Sequence, residues 1–268
     1  MAYAEIIGDP IAQSKSPIIH KHWLEVLGIE GNYVRTRLTG DELAGFISSR
    51  RSDPNWRGCN VTIPHKQAVM PLLDRIDPAA AAIGAVNCVV PEEGGLAGYN
   101  SDIDGVAEAL DSVDLEDRKA AVIGAGGGAR AVVAYLAGRG ADIVVLARKP
   151  AKAEELRNLA PMQILPLEDA AEAFDEAAVI VNATSLGMAG AEPMPESLLK
   201  AVREHSARAL LFDIVTTPPR TEFLGCGEHI VDGLTMLIGQ AHRAFLFFFG
   251  QEPPPTDAEL RRLLTGVA

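Results

Sequence analysis

A glycine-rich turn between a strand pattern and a helix pattern restricts the possible folds of this chain more than any other feature. Residues 119–123 form a short apolar run that suits a buried strand, residues 124–128 are four glycines and one alanine, and residues 129–138 are good helix formers. This order of elements is typical of the first part of a dinucleotide-binding α/β domain. The turn matches the pattern G-x-G-x-x-G/A through Gly124, Gly126 and Ala129.

The chemistry of this glycine turn favours phosphate binding. Residues without side chains let backbone N–H groups approach a pyrophosphate, and the positive end of the helix dipole attracts the same group. The alternative is a tight turn that binds nothing. We assign cofactor binding to Gly124, Gly126, Gly127, Gly128 and Ala129.

The end of the next strand pattern indicates which nucleotide is bound. An NAD site usually has Asp or Glu about twenty residues after the turn, where it accepts a hydrogen bond from the ribose 2′-hydroxyl. Here residues 145–152 contain Arg148, Lys149 and Lys152 and no carboxylate. Because these cations suit a 2′-phosphate, the segment predicts NADP as the cofactor. A solvated basic loop is the alternative.

Strand and helix patterns alternate along most of the chain, which predicts a parallel α/β fold. A second domain extends from about residue 103 to about residue 231, and an apolar helix over 234–249 and a last helix opened by a capping box at 256–259 follow it. A turn at 92–95 connects two predicted strands. The remaining predicted strands and helices cover 4–7, 17–27, 33–38, 41–49, 58–63, 66–73, 85–90, 96–99, 142–146, 178–181 and 209–214.

The composition excludes several classes of function. The 268 residues carry a formal net charge of −12, which argues against non-specific binding to nucleic acid or to an anionic membrane. No apolar run suits a membrane span and the N-terminus lacks a signal-peptide pattern, so we expect a cytoplasmic protein. Three widely separated cysteines and the lack of an HExxH or Cys/His cluster predict no metal site.

A catalytic role is predicted for Lys66. When a reduced nicotinamide delivers hydride to a carbonyl carbon, the carbonyl oxygen needs a proton. Lys66 follows a predicted strand and a Pro-His turn, where a side chain can project over the carboxyl edge of a parallel sheet. Asp102, just before the presumed hinge, would orient it. Taken alone, a lysine at a helix start is more often only solvated.

Short polar side chains at several strand ends suit a small anion that is rich in hydroxyl groups. Ser14 and Ser16 lie between the first strand and the first helix, where hydroxyls bind a carboxylate or merely cap the helix. Asn60 and Thr62 precede Lys66, and Asn87 directly follows the small apolar residues 84–86.

Seven stretches in this order resemble the shikimate dehydrogenase family, over nearly the whole chain. They are residues 8–11 with 14–17, residues 60–66, 83–87, 98–102, 124–129, 182–188 and 232–240.

This resemblance implies an NADP-dependent, reversible reduction of 3-dehydroshikimate to shikimate in aromatic amino-acid biosynthesis. It implies a substrate-binding α/β domain, residues 1–102 completed by C-terminal helices in 232–268, and a Rossmann-like doubly wound NADP-binding domain over 103–231. Lys66 and Asp102 would form the catalytic pair. The other implied residues are Ser14 and Ser16 for the substrate carboxylate, Thr62, Asn87, Asp102 and Gln240 for the ring hydroxyls, and Gly233 and Met236 for the cofactor.

Several residues depart from the family pattern. Thr216 stands where a tyrosine near the substrate is common, and Thr235 replaces a usual glycine near the nicotinamide. Gln13, Cys88 and Ser101 replace the more typical His, Thr and Thr. These departures leave open a quinate or aminoshikimate dehydrogenase of the same family, or a sensor that binds shikimate or quinate without turnover. We expect a monomer or a homodimer.

Overall fold

A computed structural model describes residues 1–266, and it contains two six-stranded sheets flanked by helices. The chain divides into two compact units: a first unit of Met1–Ser101 with the chain from Gln240 onward, and a second unit of Asp102–Gly239. The strands are β1 (Ala2–Gly8), β2 (Gly31–Arg37), β3 (Trp56–Val61), β4 (Arg75–Ile76), β5 (Cys88–Glu92), β6 (Gly95–Tyr99), β7 (Lys119–Ile123), β8 (Asp142–Ala147), β9 (Gln163–Pro166), β10 (Val179–Asn182), β11 (Leu210–Asp213) and β12 (Ile230–Val231).

Ten α-helices and several short 3₁₀ turns lie within the described residues. The helices are α1 (Ser16–Leu27), α2 (Leu43–Arg50), α3 (Pro78–Ile83), α4 (Asp102–Leu110), α5 (Gly127–Gly138), α6 (Pro150–Ala153), α7 (Ala170–Phe174), α8 (Glu196–His205), α9 (Gly233–Phe249) and α10 (Ala258–Thr265). The 3₁₀ turns are Gly40–Glu42, Met70–Leu72, Glu154–Asn158, Leu167–Asp169 and Leu224–Cys226. No helix in residues 1–266 is long and apolar enough to cross a membrane.

The sheet of the first unit is mixed and has the strand order β2-β1-β3-β5-β6-β4. Strand β1 runs parallel to β2 and β3, whereas β5 is antiparallel to both β3 and β6. The predicted turn connects β5 to β6 through Glu93 and Gly94, and so short a connection can join only antiparallel neighbours.

The sheet of the second unit is fully parallel, with the order β9-β8-β7-β10-β11-β12. Successive β7 side chains enter different cores: Ala120 and Val122 pack with α4 and α5, while Ala121 and Ile123 pack with α7 and α8. Helices therefore cover both faces, and the prediction of an α/β chain with a doubly wound domain is confirmed. Because the strand order reverses between β7 and β10, the helices that follow these two strands lie on opposite faces of the sheet, and a crevice forms between the segments that lead to them.

The predicted helix over residues 66–73 is wrong. These residues form turns and the 3₁₀ turn at Met70–Leu72. The carbonyl of Lys66 accepts a hydrogen bond from the N–H of Val86 at 2.8 Å, so it does not continue a helical ladder. Pro71 also lacks the N–H that a helix interior needs.

The last helix begins one residue later than its predicted capping box. Asp257, not Thr256, is the N-cap, and its side chain accepts from the N–H of Leu260 at 2.7 Å. Its pKa is lowered chiefly by this hydrogen bond.

A buried ion pair holds β1 against α2 in the first unit. The Glu5 side chain is fully buried, and Arg50 Nε donates to it at 2.8 Å while Thr36 donates its hydroxyl. The guanidinium also lies 4.5 Å from the ring centroid of Phe46. A buried carboxylate is tolerated only with such partners, so the pair fixes the packing of α2.

We predict that Arg50→Met lowers the free energy of unfolding by about 3 kcal/mol, because it leaves the Glu5 carboxylate buried without its counter-ion. Urea unfolding followed by circular dichroism measures the change. The matched control is Arg37→Met, which removes an exposed ion pair with Asp9 in the same unit and should leave the midpoint close to that of the parent protein. Equal losses in both variants would contradict this role for Arg50.

Candidate active site

Strand directions in the first unit bring the predicted substrate-binding segments to one edge of the sheet. Strands β1 and β3 end at this edge, β5 begins there because it is antiparallel to β3, and β6 ends there. The segments that leave or enter the sheet at this point carry Ser14, Thr62, Lys66, Asn87 and Ser101.

Asn87 is a buried, hydrogen-bonded polar residue at this edge. Its side chain is 4% exposed; its Oδ1 accepts from the N–H of Ser101 at 2.7 Å, and its Nδ2 donates to the Ser101 hydroxyl at 3.2 Å. The departure at residue 101 therefore keeps a hydroxyl that holds Asn87. Asp102, which is 3% exposed, follows directly and begins α4.

Tyr33 and Asn60 form a hydrogen-bonded pair that supports Asn87, and the sequence did not predict this pairing. Tyr33 is fully buried and donates its hydroxyl to Asn60 Oδ1 at 2.6 Å. Asn60 Nδ2 in turn donates to the backbone carbonyl of Asn87 at 3.2 Å. No local motif marks Tyr33, because its partner lies 27 residues later in the chain.

Neither serine is the N-cap residue of α1, although the Ser14 hydroxyl accepts a hydrogen bond from the N–H of Ser16, the first residue of the helix, at 3.4 Å. Lys15 is the N-cap residue and makes no side-chain cap hydrogen bond, and Pro17 stands at the start of the helix. The hydroxyls of Ser14 and Ser16 are 3.4 Å apart, and Arg35 Nε donates to the Ser14 carbonyl at 2.9 Å. One long hydrogen bond thus links the Ser14 hydroxyl to the start of α1, and the arginine holds the backbone of the same segment.

Lys66 and His65 differ in their surroundings. The His65 ring is 1% exposed and its Nε2 donates to the carbonyl of Leu38 at 2.7 Å, which ties the turn to the end of β2. Lys66 is half-buried, and its backbone is fixed by the bond from Val86. The histidine therefore anchors the turn that presents the lysine.

The second half of α9 lies on the sheet of the first unit and indicates where Gln240 stands. The Phe248 ring would be 2.6 Å from a Cβ on Gly58, whose φ of +137° and close neighbour both require glycine. Phe249 similarly approaches Gly31, the first residue of β2. The helix thus ends beside Gly31 at the start of β2 and beside Gly58 in β3, and Gln240 stands eight residues before Phe248, roughly 12 Å along the helix axis.

In the second unit the glycine turn leaves room for a ligand. Gly124 has a φ of +109°, and a Cβ on it would stand 2.6 Å from the Thr184 side chain, so only glycine fits. At Gly126 and Gly127, by contrast, a Cβ would meet nothing within 4 Å. Gly127 begins the twelve-residue helix α5, whose first-turn N–H groups have no partners within the helix. These features fit a pyrophosphate.

The other cofactor candidates differ in exposure. Arg148 and Lys149 follow β8 and are exposed, as is Lys152 in α6, and Arg148 donates to Glu192 at 2.8 Å. Ala129 and Met236 are instead buried in the core beneath α5. The remaining candidates are placed by packing: Gly128 lies beside Ile214, and Gly233 lies against the backbone of Ile214 and Val215.

Thr216 and Thr235, which depart from the family pattern, differ in their contacts. The hydroxyl and the N–H of Thr235 both donate to Asp232 Oδ1, at 3.1 and 3.0 Å, which orders the start of α9. Thr216 is half-buried in the segment after β11.

Asn182 and Asp213 organise the segment that follows β10. Asn182 Nδ2 donates to Asp213 Oδ1 at 2.9 Å and to the Leu186 carbonyl at 3.2 Å, and its Oδ1 accepts from the Thr184 hydroxyl at 2.7 Å. Asp213 Oδ2 accepts from the Thr221 hydroxyl at 2.5 Å. Both side chains are fully buried, so the pair fixes the loop beside the glycine turn.

Burial raises the pKa of Asp213 to about 6, although the hydrogen bonds from Thr221, Val215 and Asn182 favour its charged form. No group of His, Cys, Asp or Glu side chains in the described part of the chain could hold a metal ion.

Comparison with known proteins relates both units to one family. A model of the shikimate dehydrogenase substrate binding domain matches residues 6–89, and a model of shikimate / quinate 5-dehydrogenase matches residues 106–222. The shikimate dehydrogenase (NADP(+)) of Sphingopyxis alaskensis is 46% identical over 273 residues, which cover 98% of this chain and 96% of the relative.

Solved structures of related proteins share the fold over the whole chain. Shikimate 5-dehydrogenase from Thermus thermophilus, in complex with NADP(H) and shikimate, is 34% identical with a TM-score of 0.85, and 100% of each chain is covered. The enzyme from Listeria monocytogenes, in complex with shikimate and NAD, is 28% identical with a TM-score of 0.86 and coverage of 98% and 95%.

We predict that Asp213→Asn removes a pH-dependent part of the stability. Since the carboxyl has a raised pKa in the folded protein, its stabilising protonation is complete below about pH 4 and is lost as the pH rises through about 6, a difference of about 3 kcal/mol. The variant should therefore gain stability relative to the parent protein over this range. Urea unfolding at several pH values measures the gain, and Asp175→Asn, an exposed change in the same unit, should follow the parent curve.

Proposed function

Because the chain belongs to the shikimate dehydrogenase family, we propose that it catalyses the reversible, NADP-dependent reduction of 3-dehydroshikimate to shikimate. The observation that supports this most directly is the meeting of Ser14, Thr62, Lys66 and Asn87 at one edge of a single sheet. The first unit then binds the substrate, and the second binds NADP.

The substrate has a carboxylate and several ring hydroxyls, and the polar groups of the first unit suit both. Ser14 and Ser16 donate their hydroxyls to the carboxylate. Thr62, Asn87 and Gln240 bind the ring hydroxyls, as does Asp102, which directly follows the first unit's Ser101 in the chain. Ser101 holds the side-chain amide of Asn87, and the Tyr33–Asn60 pair holds its backbone carbonyl. The residue is therefore oriented before the substrate arrives, which lowers the entropic cost of binding.

Lys66 and Asp102 are the proposed catalytic residues. Lys66 holds a proton at Nζ, donates it to the carbonyl oxygen during reduction and takes it back during oxidation. Its positive charge also stabilises negative charge that develops on that oxygen. Asp102 binds the neighbouring hydroxyl and keeps the lysine oriented and hydrogen-bonded. The cofactor, when bound, supplies or accepts the hydride.

The residues of the second unit fit NADP. Open space over Gly126 and Gly127 and the N-terminus of α5 suit the pyrophosphate. Arg148, with Lys149 and Lys152, binds the 2′-phosphate, and the segment that follows β8 has no carboxylate to accept from a ribose hydroxyl in its place. Gly233 and the backbone of Met236 contact the cofactor near its nicotinamide end, because the Met236 side chain is buried in the core.

We predict that the purified protein reduces NADP⁺ with shikimate faster than with quinate or aminoshikimate. The measurement is the absorbance of the reduced nicotinamide over a panel of the three compounds, each with NADP⁺ and NAD⁺. A higher kcat/KM with quinate would instead identify a quinate dehydrogenase, which the family description and Thr216 keep as the second candidate. Tight calorimetric binding without turnover would identify a sensor.

We predict that Lys66→Met lowers kcat by about 10²- to 10⁴-fold with a smaller change in KM, because the ammonium acts mainly in the transition state. Steady-state kinetics with shikimate and NADP⁺ measure both constants. The control is Lys21→Met, which removes an exposed lysine of the same unit and should leave both unchanged. Full activity of Lys66→Met would refute the assignment.

A further inference from the structure

The ion pair between Arg148 and Glu192 spans the glycine turn of the second unit. Arg148 follows β8, and Glu192 belongs to the loop of residues 183–195 after β10, here called the β10 loop. Strands β8 and β10 flank β7, whose carboxyl end leads into the glycine turn. The pair therefore joins residues from strands two spacings apart, roughly 10 Å, across the strand that carries the turn.

The position of Glu192 is set by the backbone of the β10 loop. The N–H of Gly187 donates to the carbonyl of Glu192 at 2.9 Å, and the N–H of Ala191 donates to Met188 at 2.9 Å. Ala189 is tied to Thr217 by a further bond of 2.8 Å. The loop is thus closed on itself and anchored at its base, so it holds the Glu192 carboxylate towards Arg148.

We propose that Glu192 reduces the preference for NADP over NAD by competing with the 2′-phosphate for Arg148. This inference rests on the proposed function, because it concerns the same nucleotide site. Both side chains of the pair are about 70% exposed, and exposed ion pairs are weak. A phosphate with more charge and more acceptor oxygens displaces the carboxylate, but the displacement reduces the affinity for NADP.

NAD differs from NADP at this site because it has a hydroxyl in place of the 2′-phosphate. Its 2′-hydroxyl needs no guanidinium, so the ion pair can stay closed when NAD binds. Glu192 consequently weakens the binding of NADP without weakening the binding of NAD. It therefore reduces the difference in affinity between the two cofactors that Arg148, Lys149 and Lys152 provide. The acidic residue that affects binding at the 2′ position thus comes from the β10 loop. It acts indirectly, through its ion pair with Arg148.

The test is Glu192→Gln, with Glu192→Ala as a second variant. We expect Glu192→Gln to lower the Kd for NADPH by roughly two- to fivefold, measured by fluorescence titration at low salt, and to leave the Kd for NADH unchanged. The matched control is Glu196→Gln, which removes an equal exposed charge that pairs with Arg203, and should leave both constants unchanged. Thermal unfolding of each variant verifies that the fold is kept.

A double-mutant cycle with Arg148→Ala separates the possible outcomes. We expect Glu192→Gln to have no effect on NADPH binding once Arg148 is absent. An equal gain in that background would show direct repulsion and would overturn the inference, as would an unchanged NADPH affinity or a weakened NADH affinity. If Arg148→Ala lowers NADPH affinity while Glu192→Gln changes nothing, only the role of Glu192 fails. If Arg148→Ala has no effect, the proposed 2′-phosphate site fails with it.

Discussion

Strand direction is the constraint on which the chemistry of this chain depends. Parallel neighbouring strands end at the same edge of a sheet, so the residues that follow them lie close together. An antiparallel strand begins at that edge, so the residue that precedes it lies there too. In the first unit β1, β3 and β6 end where β5 begins, so Thr62 and Asn87 come together although they are distant in the chain. In the second unit β7, β8 and β10 end side by side, and the glycine turn, Arg148 and the β10 loop meet in the same way.

Buried polar pairs convert these edges into ordered sites. Tyr33 and Asn60 stand behind Asn87, and Asn182 with Asp213 stands behind the β10 loop. Each pair satisfies groups that would otherwise be costly to bury. The first pair restricts the segment of Asn87, a predicted substrate contact, and the second restricts the loop that carries Glu192. Rigid support of this kind allows short side chains such as serine, threonine and asparagine to recognise a small polar ring.

Local sequence signals predicted most of the elements but failed where distant backbone groups intervened. The β7–turn–α5 segment was placed to within two residues because each part has a strong local preference. The false helix at 66–73 arose because the partner of the Lys66 carbonyl, Val86, is twenty residues away in the chain. Helix α3 could have been found, since Asp77 as N-cap, Pro78 and Gly84 bound it in the expected way. Glu192 could not, because a lone glutamate in a loop carries no signal of its arginine partner.

By itself the sequence determined the α/β class, the nucleotide turn, the basic segment after β8 and the family, because these depend on local propensity and on short motifs. Only the tertiary structure decided which side chains orient Asn87, why Asp213 keeps its proton to an unusually high pH, and which carboxylate holds Arg148. Those properties depend on burial and on distances between strands, and neither quantity is encoded in any short stretch of residues.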